Sequence, residues 1–94
     1  MMRKLIENVS AIINNLETIK LVEAENVTSS IFLDSDGDVE KYVLNVRLEV
    51  SSVVLYLILE MFQDFCREEG FMLAIAEKNV DDPDHSVLCI DFYE

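Results

Sequence analysis

Glycine and proline are nearly missing from this chain, which has two glycines, one proline and no tryptophan in 94 residues. So few turn formers predict long elements and few loops. Two glycines cannot supply G-x-x-x-x-G-K-[ST] or G-x-G-x-x-G, so neither phosphate-cradling motif is present. Histidine occurs once, as His85, in a predicted loop, and no G-x-S-x-G accompanies it. A Ser–His–Asp or Cys–His device needs its histidine held in a cleft beside a nucleophile. Cys66 and Cys89 are the only cysteines, and they form neither C-x-x-C nor a metal-ligand spacing. Each lies in an apolar stretch, Phe65-Cys66 and Leu88-Cys89-Ile90, which predicts buried reduced thiols in a reducing, cytoplasmic compartment. The uninterrupted apolar run Val53 to Leu59 is seven residues, too short to span a bilayer. Glu7, Asn8 and Ser10 break any signal-like run near the start.

Cations are scarce as well. Seven Lys and Arg face nineteen Asp and Glu, for a formal charge of −12. Such a field repels phosphate backbones and anionic membranes, which argues against direct nucleic-acid or membrane binding. It suits a basic protein surface and speeds encounter with one. The plainer use of the same charge is solubility.

The chain is 51% apolar, which excludes disorder and fits one domain over 1–94. Residues 3–17 predict an amphipathic helix, with Leu5, Val9, Ile12 and Leu16 recurring and Ile6 and Ile13 beside them. Residues 18–23 predict a short strand, and 27–33 a second one. Asp34-Ser35-Asp36-Gly37-Asp38 predicts a hairpin loop with Gly37 at positive φ. Residues 39–50 predict a half-buried strand. Tyr42, Leu44, Val46, Leu48 and Val50 share its core face, and Lys41, Asn45, Arg47 and Glu49 share its wet face, with Val43 the exception. Ser51 or Ser52 caps a helix running to about Glu69, closed by Gly70. The first half of that helix is apolar on every side, so the sheet, the first helix or a second subunit must cover it. Homodimerisation is one such solution. Residues 71–78 and 86–93 predict a second hairpin. The fold class is therefore α+β, an antiparallel sheet of four to five strands in the order α-β-β-β-α-β-β.

Candidate sites are few. Asp34, Asp36 and Asp38 alternate like a calcium loop, but its sixth and twelfth positions hold Val39 and Asn45 where Gly and Glu are needed. A solvated turn is the better reading. Asp81, Asp82 and Asp84 form a second acidic tip beside His85, again without the ligands of a transition-metal site. No cofactor, metal or catalytic residue is expected. What remains is the acidic surface. Asp34, Asp36, Asp38, Glu40, Asp81, Asp82 and Asp84 are the candidate partner contacts, presenting carboxylates to a channel lined with Lys and Arg.

Two resemblances bear on that surface. Leu5-Ile6-Glu7, Thr18-Ile19-Lys20-Leu21, Ile31-Phe32-Leu33-Asp34-Ser35-Asp36-Gly37 and Tyr42-Val43-Leu44 resemble small acidic anti-CRISPR proteins that block type II-A nucleases. The likeness covers the first two-thirds of the chain. It implies a short helix, a three-stranded sheet and a helix, and inhibition by DNA mimicry through a hairpin loop matching Asp34 to Asp38. The family's acidic C-terminal helical segment has no counterpart here, and the hairpin over 71–93 is an addition. The element order also looks like the class I type III secretion chaperones, small acidic dimers that bind an extended effector segment. Their final helix is missing from this chain. The leading expectation is a non-enzymatic, phage-like inhibitor of a nucleic-acid-processing protein. The alternative is a dimeric chaperone-like module that binds polypeptide through apolar surface.

Overall fold

The structure, a computed structural model, describes residues 2–49 and 53–94, apart from the side chains of Val54 and Leu55. Helix α1 spans Met2–Thr18 and buries Met2, Leu5, Val9, Ile13 and Leu16, a stripe at spacings of three and four. The expected strand over 18–23 does not form. Lys20 instead takes φ 61, and the Leu21 N–H donates to the Leu16 carbonyl at 3.0 Å, closing the helix. Ile19 and Leu21 face solvent and only Val22 enters the core. An L-residue is strained at that φ, so Lys20→Gly should raise the unfolding free energy by about 1 kcal/mol. Urea denaturation checks this, with Lys20→Ala as the comparison. A Gly variant no more stable than the Ala variant would remove the strain argument.

A single 3₁₀ turn, Ala24–Asn26, leads into strand β1, Val27–Leu33, and then β2, Val39–Glu49. Helix α2 covers Val53–Glu69, followed by β3, Met72–Asn79, and β4, His85–Tyr93. The observed order is thus α-β-β-α-β-β. The proposed caps Ser51 and Ser52, and Val50 of the core face, lie outside the described residues. Gly70 closes α2 with φ 79, and the Cys66 carbonyl accepts the N–H groups of Gly70 and Phe71 at 2.9 and 3.0 Å.

The four strands make one antiparallel sheet in the order β1-β2-β4-β3. One face is the core. Tyr42, Leu44, Val46 and Leu48 pair with Phe92, Ile90, Leu88 and Ser86 across the two central strands, and all eight are buried. From α2, Ile58, Phe62 and Cys66 descend onto them at spacings of four. Phe62 meets Phe92 edge-on, with ring centroids 5.4 Å apart at 85°. Burial pushes the Cys66 thiol above its ordinary range, which leaves it a packing group rather than a nucleophile. Ser86 satisfies its hydroxyl by donating to Glu77 Oε1 at 3.0 Å.

Helix α1 packs over β2, and α2 packs over β3. Strand β1 projects past both. All its residues except the half-buried Val27 are exposed, so its alternating pattern is not matched by alternating burial.

Candidate functional site

The hairpin between β1 and β2 is built by one of its own carboxylates. Asp34 Oδ1 accepts the N–H groups of Asp36 at 2.9 Å and Asp38 at 3.0 Å. The Asp34 N–H donates to the Asp38 carbonyl at 2.8 Å, and Gly37 supplies φ 84. Just beyond, Phe32 pairs with Lys41 but Leu33 pairs with Val39, so Glu40 is an extra residue in β2. Asp34 therefore shapes the loop. Asp36, Asp38 and Glu40 project from it, exposed, and none of the three joins an ion pair among the described residues.

The second tip is organised the same way. Asp82 Oδ1 accepts the Asp84 N–H at 2.9 Å, and Asp82 Oδ2 lies 2.7 Å from His85 Nδ1 and 3.8 Å from the Arg47 guanidinium. The Asp84 N–H, the His85 ring and, more distantly, the charges of His85 and Arg47 hold this carboxyl below its ordinary range. A depressed folded-state pKa stabilises the fold above the unfolded value of roughly 3.9. That contribution is lost as pH falls below about 4 and through the folded value. A carboxyl-detected NMR titration should therefore find Asp82 protonating below the ordinary Asp range, and His85→Ala should raise it. An Asp82 that titrates at the ordinary value with or without His85 would remove this ladder of contacts. Asp81 and Asp84 are exposed and join no ion pair among the described residues.

Register settles how the two tips relate. Lys41 pairs with Tyr93 and Glu49 pairs with His85. The 34–40 loop thus sits at the end of the sheet where β4 finishes, and the 81–84 loop at the end where β4 begins. Eight strand steps separate them, about 27 Å at the usual rise. The seven predicted contact residues are accordingly not one patch. Asp36, Asp38 and Glu40 present carboxylates at one end, Asp81 and Asp84 at the other, and Asp34 and Asp82 are committed to their own loops.

The sheet face turned away from the helices has a different character. Its cross-strand rows run Phe32-Lys41-Tyr93-Met72, Ser30-Val43-Asp91-Ala74, Thr28-Asn45-Cys89-Ala76 and Arg47-Val87-Lys78. Among the strand residues of this face, Lys41, Arg47 and Lys78 stand with Asp91 and Glu49, three positive charges and two negative ones in a chain of −12, and Asp82 of the second tip reaches Arg47 from its loop. Lys41 stands 4.9 Å from the Phe32 ring centroid and 3.9 Å from Asp91. The acidity is therefore concentrated on the loops and on α2. On α2, Glu60, Asp64 and Glu68 follow one another at four-residue spacing on the exposed side. That stripe was readable from spacing alone. The neutral open face was not, because it depends on which strands are neighbours.

Among the described residues, exposed apolar side chains cluster at Ile31, Phe32 and Leu33 on β1, where Ile31 and Phe32 take opposite faces of the sheet, and at Val53, Tyr56 and Leu57 at the start of α2. A hollow of about 490 Å³ lies between Phe32, Glu40, Lys41, Tyr93 and Glu94, at the same end as the first acidic tip. Among the described residues no three His, Cys, Asp or Glu gather as a metal site would need, and no helix is long and apolar enough to cross a membrane. No protein family, curated protein or solved structure matches the chain.

Proposed function

We propose that this chain is a non-enzymatic binding protein whose target presents a basic surface, and that the target is a nucleic-acid-binding protein whose site it occupies. The observation that carries the reading is the β1–β2 end. There, three projecting carboxylates, Asp36, Asp38 and Glu40, adjoin the uncovered Ile31, Phe32 and Leu33. Acidic groups next to exposed apolar side chains are what a Lys- and Arg-lined groove with apolar walls accepts. Charge steers the approach, and the apolar residues supply burial. The inhibitory role follows the anti-CRISPR resemblance, restricted to one end of the molecule because the second tip lies about 27 Å away.

A bacterial lysate treated with nuclease supplies the test. A captured protein should be released by raised salt and displaced by added duplex DNA, because DNA and this chain then compete for one basic site. A partner that resists both salt and DNA would sink the reading. It would favour the chaperone-like alternative, for which the exposed Val53, Tyr56 and Leu57 give an apolar docking surface on α2.

A further inference from the structure

Strand β1 is an edge without the usual protection. Natural sheets blunt their edges with charged side chains, proline, bulges or a covering element. The opposite edge, β3, follows that practice, since it carries Glu77 and Lys78 and α2 packs over it. Along Val27–Leu33 there is no charge and no proline, and the helices pack over other strands. The bulge at Glu40 lies in the neighbouring strand and leaves β1 itself regular. Along its outer side, half of the backbone N–H and C=O groups of β1 face no strand. The side chains on either side of it run Val27, Ser29, Ile31 and Thr28, Ser30, Phe32, small at one end and large at the other.

We infer that the outer edge of β1 is a docking strand for an extended segment of the target, which adds a fifth strand to the sheet. The segment's character follows from what brackets the edge. Glu23 and Glu25 stand before it, and Asp36, Asp38 and Glu40 stand after it, all exposed. A fitting segment therefore carries Lys or Arg at both ends and alternating, uncharged residues between them. Its main chain supplies hydrogen bonds along about seven residues, and its apolar side chains pack on Ile31 and Phe32. A second copy fits worse. Antiparallel pairing of two β1 strands sets the 34–40 carboxylates of each beside Glu23 and Glu25 of the other, in a pair totalling twice −12. The inference rests on the binding function proposed above and specifies how that binding is made.

The test uses a synthetic peptide with a Lys pair at each end and an alternating Val/Thr run as long as β1 between them. Amide hydrogen exchange and NMR shifts should change along Val27–Leu33 and leave the β3 edge unaffected. The same peptide with Glu at its ends, or with alternate backbone amides methylated, should not bind. Ser30→Lys, at an exposed position, should weaken binding about tenfold by giving the middle of the edge the charged side chain that natural edges use against strand addition. Three outcomes would overturn the inference: protection appearing on β3, protection appearing nowhere, or β1 amides already protected without peptide in a protein that sediments as a dimer. The function itself is judged separately. If Ser30→Lys leaves a salt- and DNA-sensitive target bound while neutralising Asp36, Asp38 and Glu40 releases it, the function stands and the docking strand falls. If the captured target resists salt and DNA from the outset, the function falls first.

Discussion

Replacing Phe62 by alanine should remove about 3–5 kcal/mol of unfolding free energy, read from a shift in the urea midpoint at unchanged slope. Phe62 is fully buried and is the point where α2 touches the centre of the sheet. Its ring stands edge-on to Phe92, which is also fully buried, and Phe92 lies 6.0 Å from Tyr42, centroid to centroid. Truncation removes the transfer energy of the ring and the aromatic pair, and it leaves a cavity that neighbours from two layers cannot easily close. A domain of this size has roughly 5–15 kcal/mol in total, so the loss is a large share of its stability. Phe32 supplies the internal comparison. It is 47% exposed on the open face, and Phe32→Ala should stay within about 0.5 kcal/mol of the parent. Equal losses at the two positions would mean that the core is not centred where the packing places it.

Most elements were legible because their periodicity is long. The apolar stripe of α1, the twofold alternation of 39–49 and the hairpin chemistry of Asp34 to Asp38 each commit many residues to one answer. The segment 18–23 misled because four residues, Ile19 to Val22, alternate by accident. A strand reading needs more than two repeats, and here the helix C-terminus used the same residues to close itself through Lys20 at positive φ. The alternation in β1 was genuine and its strand formed, yet alternation says only that a segment is extended. Whether either face is buried depends on where the helices lie, and α1 and α2 lie over other strands. The candidate site suffered from the same blindness. Its seven carboxylates were all correctly placed in loops or at a loop's edge. Their division between two ends follows from β2 pairing antiparallel with β4, a long-range fact that composition does not encode.

That division sets the second large expected effect. With the captured target in hand, Asp36→Asn, Asp38→Asn and Glu40→Gln together should weaken binding at least tenfold at moderate salt, mainly by slowing association. The same triple change should also flatten the dependence of affinity on salt. All three side chains are exposed and join no ion pair among the described residues, so their removal disturbs no partner within the fold. Asp34 is left in place because its carboxylate holds the loop through Asp36 and Asp38 N–H. The second tip is the control that gives the result meaning. Asp81→Asn with Asp84→Asn changes the total charge by a similar amount, at about 27 Å from the first tip. At 0.1 M salt the screening length is about 10 Å, so a contact made at the β1–β2 end should hardly register the distant change. A target gripped by net charge alone would respond to both sets in proportion to the charge removed. A target gripped across the whole length of the molecule would lose most from combining them. Only a site confined to the β1–β2 end makes the triple variant fail while the double variant binds as the parent does, and surface plasmon resonance at two salt concentrations separates the three.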